Sequence, residues 1–274
     1  MTKIYAVVNQ KGGVGKTTSV INVGAFLAAS RCRVLVIDLD SQCNATSGLG
    51  LDKNEDRQST YDLLLEQNPL ANIVVYQPET NLFIAPASPA LAGAEVELVN
   101  VMAREYRLQK GLAHAVDEYD YVLIDCPPSL GLLTVNALTA AKDGVLIPIQ
   151  CEYLALEGLS QLMQTIQLVQ KHLNPVLSIR GLIMTMYDGR TNLSRQVVEE
   201  VRTHFSGQVF RTIVPRNVRL SEAPSFGQPI NLYAPDSPGA LAYKVLTSEL
   251  LQGDRKKDSG RGQKVEAGGQ KVEG

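Results

Sequence analysis

The stretch Asn9-Gln10-Lys11-Gly12-Gly13-Val14-Gly15-Lys16-Thr17-Thr18 packs three glycines, two lysines and two hydroxyls into ten residues. Glycines let a backbone fold tightly enough for successive N–H groups to converge on phosphate oxygens, and a helix N-terminus adds its dipole. Lys16 suits the β- and γ-phosphates of a nucleoside triphosphate, and the Thr17 hydroxyl suits Mg2+. Gly12, Gly13, Val14, Gly15 and Thr18 complete the cradle. The run departs from the usual G-x-x-x-x-G-K-[ST] pattern, because Gln10 stands where the first glycine belongs. Beside it, Lys11 is a second cation that phosphate binding by Lys16 leaves unexplained.

Carboxylates at strand ends supply the rest of such a site. In YVLIDCPPS (121–129) an apolar run ends in Asp125, where an acid would hold Mg2+ or its water. VIDLDSQCNATSGLG (36–50) puts Asp38 and Asp40 at the end of another apolar run. One of the pair should approach the metal region, and the other could orient an attacking water. A helix-capping role for Asp40 is the structural alternative.

The elements needed to position these residues are legible. Apolar runs at 4–9, 33–40, 81–87, 121–127, 144–150 and 181–187 read as strands buried on both faces of a parallel sheet. Helical spacing occupies Lys16–Ser30, about Ala94–Val116, Leu130–Ala141, Leu156–Leu173, Asn192–Phe205 and 237–252. Strand alternating with helix predicts a doubly wound α/β domain over 1–252, with ligands beyond the carboxyl ends of its strands. The remainder, GDRKKDSGRGQKVEAGGQKVEG (253–274), is polar and glycine-rich and reads as a disordered tail.

Composition narrows the function classes. At 274 residues with 45% hydrophobic content the chain can bury a large core. A formal net charge of -2 argues against a globally basic nucleic-acid binder, while leaving room for a local patch. Cys32, Cys43, Cys126 and Cys151 form no C-x-x-C pair, so neither a disulfide frame nor a cysteine metal site is expected. The first apolar stretch is too short for a signal peptide or membrane span, which points to a cytoplasmic protein.

KGGVGKTT, DLDSQCNATSGLG, IDCPPSLGLLTVNAL, QCEYLALEGL, TMYDGRTN and VPRNVRLSEAPSFG together resemble the ParA/Soj-type chromosome and plasmid partition ATPases, a deviant Walker A branch of the P-loop fold. The likeness spans essentially 1–252 and is to the short chromosomal branch, without the N-terminal helix-turn-helix extension of the longer plasmid type. It implies an ATP- and Mg2+-dependent hydrolase forming an ATP-sandwich homodimer. In that dimer Lys11 would reach the partner's nucleotide in trans, and Gly12 would lie at the dimer face. The resemblance also assigns water positioning to Asp40, Mg2+ to Thr17 and Asp125, and adenine contact to Pro215 and Asn217. Ser41 and Cys43 depart from the proline and glycine common in the family.

Arg190, Arg195, Arg202, Arg211, Arg216 and Arg219 stand against only Glu199 and Glu200 between 190 and 219, a local excess fit for phosphate backbones. The family binds nonspecific double-stranded DNA through arginines corresponding to Arg190 and Arg219, and Arg216 is a third candidate. A ParB-like centromere-binding partner would stimulate hydrolysis at the nucleoid. Rival readings are a MinD-like positioning ATPase and a nucleotide-dependent DNA-binding regulator whose hydrolysis is incidental. The MinD-like reading would need a C-terminal amphipathic membrane helix that the tail does not supply. An iron–sulfur carrier would need paired cysteines.

Overall fold

The computed structural model describes residues 2–113, 116–152 and 157–268. Its chain begins with β1 (Lys3–Val7), the phosphate-type loop and α1 (Lys16–Ala29). Next come β2 (Val34–Asp38), α2 (Asn44–Gly48), α3 (Thr60–Leu65) and α4 (Leu70–Ile73). A short β3 (Val75–Gln77) pairs with β4 (Leu82–Ala85), followed by α5 (Leu91–Leu98), α6 (Arg107–Leu112) and β5 (Tyr121–Asp125). The second half runs α7 (Leu132–Ala140), β6 (Gly144–Gln150), α8 (Glu157–His172), β7 (Ile179–Tyr187), α9 (Asn192–His204) and β8 (Val209–Pro215). It closes with α10 (Val218–Glu222), α11 (Ile230–Tyr233) and α12 (Pro238–Gly268).

These strands form one eight-stranded sheet in the order β3-β4-β2-β5-β1-β6-β7-β8. Every pairing is parallel except β3 with β4. This is the expected doubly wound α/β architecture, and its strand alternation divides the core in two. Ile4, Ala6, Leu35, Ile37, Val122 and Ile124 face one apolar layer. Tyr5, Val7, Val34, Val36, Tyr121 and Leu123 face the other, under α1 and α12. Each fully buried Leu or Ile contributes about 1.5–3 kcal/mol, so every central strand is held from both sides.

The structure departs from the sequence expectations at three points. The edge strands β3 and β8 were not foreseen: β3 has three residues, and Arg211-Thr212 interrupts the apolar run of β8. The helix expected over about Ala94–Val116 is two helices, parted where Ala103 takes a left-handed φ of 53° before a 3-10 turn. The second strand stops at Asp38, so Asp40 lies in the loop beyond it. The last helix, α12, continues past the break expected at 252 and runs to Gly268.

Asp254, only 2% exposed, explains that continuation. It accepts hydrogen bonds from Tyr5 Oη at 2.8 Å, Tyr121 Oη at 3.0 Å and Arg180 Nε at 2.9 Å, joining α12 to β1, β5 and β7. Of the expected disordered tail, 269–274 lie outside the described residues.

Candidate functional site

The parallel topology brings the chemically equipped loops to one edge. Central β1 delivers the glycine-rich loop, neighbouring β5 delivers Asp125, and β2 delivers Asp38 and Asp40. Gly13 and Gly15 take left-handed φ values of 72° and 90°, conformations that side chains resist, and so turn the loop into α1. The N-terminus of α1 has no side-chain cap and no acid in its first turn. Its free N–H groups and dipole are therefore available to an anion.

Lys16 and Thr17 open α1. Lys16 is 7% exposed, and its ammonium donates to Lys11 O at 3.2 Å. Burial pushes its pKa below the usual lysine value, while Asp125, Cys126 and Asp40 act in the opposite direction. Thr17 Oγ1 donates to Asp125 Oδ2 at 2.6 Å. Asp125 Oδ1 is buried with no partner. Burial first, and then neighbouring Asp38, raise the Asp125 carboxyl well above the ordinary range.

An orphaned carboxylate oxygen beside a hydroxyl, in front of an uncapped helix, fits a hydrated Mg2+ carried by nucleotide phosphates. Among the described residues no group of three or more His, Cys, Asp or Glu side chains could hold a metal alone. Such a site would need the phosphates as ligands.

Asp38 and Asp40 separate into different jobs. Asp38 is fully buried, and its Oδ2 accepts Thr46 N and Thr46 Oγ1, both at 2.8 Å. Its Oδ1 accepts Asp40 N at 3.1 Å, and burial pushes its pKa up to about 6. It organises the loop, with both oxygens already accepting hydrogen bonds. Asp40 is 7% exposed, and its Oδ1 accepts Gln42 N at 3.0 Å. It is not a helix cap, since Cys43 occupies that position on α2. Cys43 itself has a φ of 56°, which accounts for the ease with which glycine would sit there.

Pro215 ends β8 and Asn217 lies just beyond it, where they share a cavity of about 180 Å3 with Gly15, Thr18, Thr185 and Tyr243. The phosphate loop and the two expected base contacts thus line one continuous space. Gly12 and Gly13 are exposed and Lys11 is half-buried. A Cβ added at Gly12 would meet only Pro128 Cβ, at 4.0 Å. Among the described residues nothing therefore demands glycine at that position.

The three candidate DNA arginines follow β7 and β8 on this same edge, and each is exposed. Each also has an acidic partner: Arg190 with Asp188 at 2.6 Å, Arg216 with Glu152 at 2.8 Å and Arg219 with Glu222 at 2.9 Å. Exposed pairs of this kind hold weakly in water and yield readily to salt or to a phosphate.

Some residues of the site were invisible beforehand. Asn9 Nδ2 donates to Pro148 O at 2.7 Å, and Asn9 Oδ1 accepts Lys11 N at 3.0 Å. Thr185 Oγ1 lies between two carbonyls, Val14 O and Ile149 O. A polar residue ending one apolar strand, Asn9, and one interrupting another, Thr185, are the only sequence signals for either. Residues 153–156 of the QCEYLALEGL motif lie outside the described residues.

Comparison with known proteins agrees with this geometry. A family model described as an AAA domain matches residues 2–179. The chain is 56% identical over 250 residues to the sporulation initiation inhibitor protein Soj of Bacillus subtilis, covering 91% of this chain and 98% of that protein. It is 53% identical over 259 residues to the chromosome partitioning protein ParA of Myxococcus xanthus, covering 94% and 91% respectively. Among solved structures it is similar to a Mycobacterium smegmatis protein named cobyrinic acid a,c-diamide synthase, with bound ADP and magnesium. That match has a TM-score of 0.81 and 39% identity, covering 92% of this chain and 95% of the other. Glycine-rich loop, strand-end aspartates and near-full-length identity converge on one conclusion: the chain belongs to the ParA/Soj-type family of partition ATPases.

Proposed function

We propose that the chain hydrolyses ATP with Mg2+ as an ATP-sandwich homodimer, and that this dimer binds nonspecific duplex DNA until a ParB-like partner stimulates hydrolysis. The observation that carries the ATPase reading is the Thr17–Asp125 contact of 2.6 Å in front of the uncapped N-terminus of α1. Mg2+ held there would offset charge on the transferring phosphoryl group and orient it for in-line attack.

The residues of this chain divide the remaining work. Loop N–H groups and Lys16 bind the phosphates, and the ammonium leaves Lys11 O to do so. Thr17 and Asp125 would hold the metal. Pro215 and Asn217 border the space for the base. Asp40 Oδ1 is committed to Gln42 N, which leaves Oδ2 to orient a water for attack.

The dimer reading is supported by what the single chain leaves unused. Lys11 Nζ has no hydrogen-bond or ion-pair partner among the described residues, and Gly12 has no internal reason to lack a side chain. A partner's nucleotide would give Lys11 an anion, and a partner's backbone would require the bare Cα at 12. A cation supplied in trans acts in the manner of an arginine finger and makes dimerisation depend on the triphosphate.

The test is duplex DNA binding with ATP, with ADP and without nucleotide, for the parent chain and three variants. Lys16→Ala should lose ATP binding, and with it DNA binding. Lys11→Ala should still bind ATP, yet neither dimerise nor hold DNA. Asp40→Ala should remain on DNA in ATP, with turnover reduced about 100-fold or more. Equal DNA binding in all three nucleotide states would remove the partition cycle and leave the ATPase alone.

A further inference from the structure

We propose that Thr185 is a positioning residue for the phosphate loop, acting through the peptide that joins Val14 to Gly15. The inference rests on the ATP-binding reading above. Thr185 lies in β7, is 2% exposed, and holds its Oγ1 at 2.8 Å from Val14 O and 3.1 Å from Ile149 O. A hydroxyl carries one hydrogen and can donate to only one of the two carbonyls; Val14 is the nearer.

Peptide planarity turns that bond into control of a donor. In a trans peptide C=O and N–H point in opposite directions, so tying Val14 O towards β7 aims Gly15 N–H the other way, into the loop. A phosphate cradle needs this orientation. A carbonyl turned inward would face phosphate oxygens with like partial charge and would remove one donor. The left-handed φ of 90° at Gly15 is the backbone turn that follows this peptide. An added Cβ there would meet Thr185 Cγ2 at 3.8 Å, so hydroxyl and methyl of one threonine both border this turn.

The other end of the loop is fastened to the neighbouring strand, β6. Asn9 bonds Pro148 O at 2.7 Å, the residue before Ile149. Asn9 thus holds the entry of the loop to the exit of β6, and Thr185 holds the Val14–Gly15 peptide to neighbouring β7. Asn9 follows β1 directly, but Thr185 comes from a strand about 170 residues later in the chain.

The experiment compares Thr185→Val, which keeps the shape without the donor, with Thr185→Ser, which keeps the donor. Dissociation constants for Mg2+-ATP and Mg2+-ADP are measured, with KM and kcat. Thr185→Val should weaken both nucleotides about tenfold, the worth of one buried hydrogen bond, with KM rising by more than kcat falls. Thr185→Ser should stay within about threefold of the parent. Parent-like ATP affinity in the Val variant, or a Ser variant as weak as Val, would overturn the proposal. If Thr185→Val does not fold, Thr185→Cys replaces it: its weak donor should give intermediate affinity, and parent-like affinity would count against the hydroxyl. Failure of the parent to bind ATP would overturn the nucleotide reading itself, and this inference with it.

Discussion

At Asp125 stability and chemistry pull against each other. Its carboxyl is fully buried, with one oxygen on Thr17 and the other without a partner, in register with Asp38 on the adjoining strand. Its folded pKa is raised, so the folded chain holds this proton more tightly than the unfolded chain does. The associated stability is present at low pH and is lost as pH rises through the folded value. Asp38, pushed up to about 6, adds the same sign of dependence. Asp125→Asn keeps an acceptor for Thr17 and removes the charge. Thermal unfolding of the nucleotide-free variant should therefore show a midpoint a few degrees above the parent at pH 8. The gain should shrink as pH falls towards the ordinary carboxylate range, while apparent Mg2+ affinity drops about 10–100-fold. A variant less stable than the parent at pH 8 would mean that Asp125 is compensated by a group other than Mg2+.

The α12 helix is the element whose role differs most from expectation. Its contact with the sheet is polar and buried: Asp254 meets two tyrosine hydroxyls and an arginine whose side chain is 10% exposed. Truncating one partner of such a pair strands the other charge at a cost of about 3–5 kcal/mol. Asp254→Ala should lose that much in urea unfolding, and a chain ending at 252 should lose at least as much. A chain ending at 260 keeps Asp254 and the Lys3–Asp258 pair of 2.6 Å, and should match the parent within about 0.5 kcal/mol. Equal stability of all three chains would place the end of the folded unit at 252. At the other edge, Glu249 of α12 accepts Arg211 N and Thr212 N, so the same helix also covers exposed donors of edge strand β8.

For the whole molecule, charge distribution matters more than total charge. A chain of formal charge -2 is a weak ligand for DNA unless its cations are gathered, and topology gathers three arginines on the edge that carries the nucleotide loop. If the ATP dimer presents them from both protomers, log K for duplex DNA should fall against log salt with a slope of about -5. Arg219→Ala should reduce that slope by about 2 and leave ATP-dependent dimerisation unchanged. A flat salt dependence would show that these arginines stay with Asp188, Glu152 and Glu222. Among the described residues no helix is long and apolar enough to cross a membrane.

Chemistry confined to a few consecutive residues is legible without the fold. Lys16, Thr17 and the glycines form a cradle because their spacing is local, and β1, β2, β5 and β6 declare themselves as apolar runs because both faces of each are buried. The ends of elements were less legible. The half-exposed β8 lacks the apolar continuity of a central strand, and a left-handed Ala103 divides a helical pattern without altering its hydrophobic spacing. Only the tertiary structure decided between Asp38 and Asp40, because their roles depend on Thr46 and on where β2 ends. It alone placed Asp254 inside the protein, since burial there depends on Tyr5, Tyr121 and Arg180 arriving from three separate strands. A polar residue pays its desolvation only through partners, and when those partners lie 74 to 249 residues away, no local pattern records them.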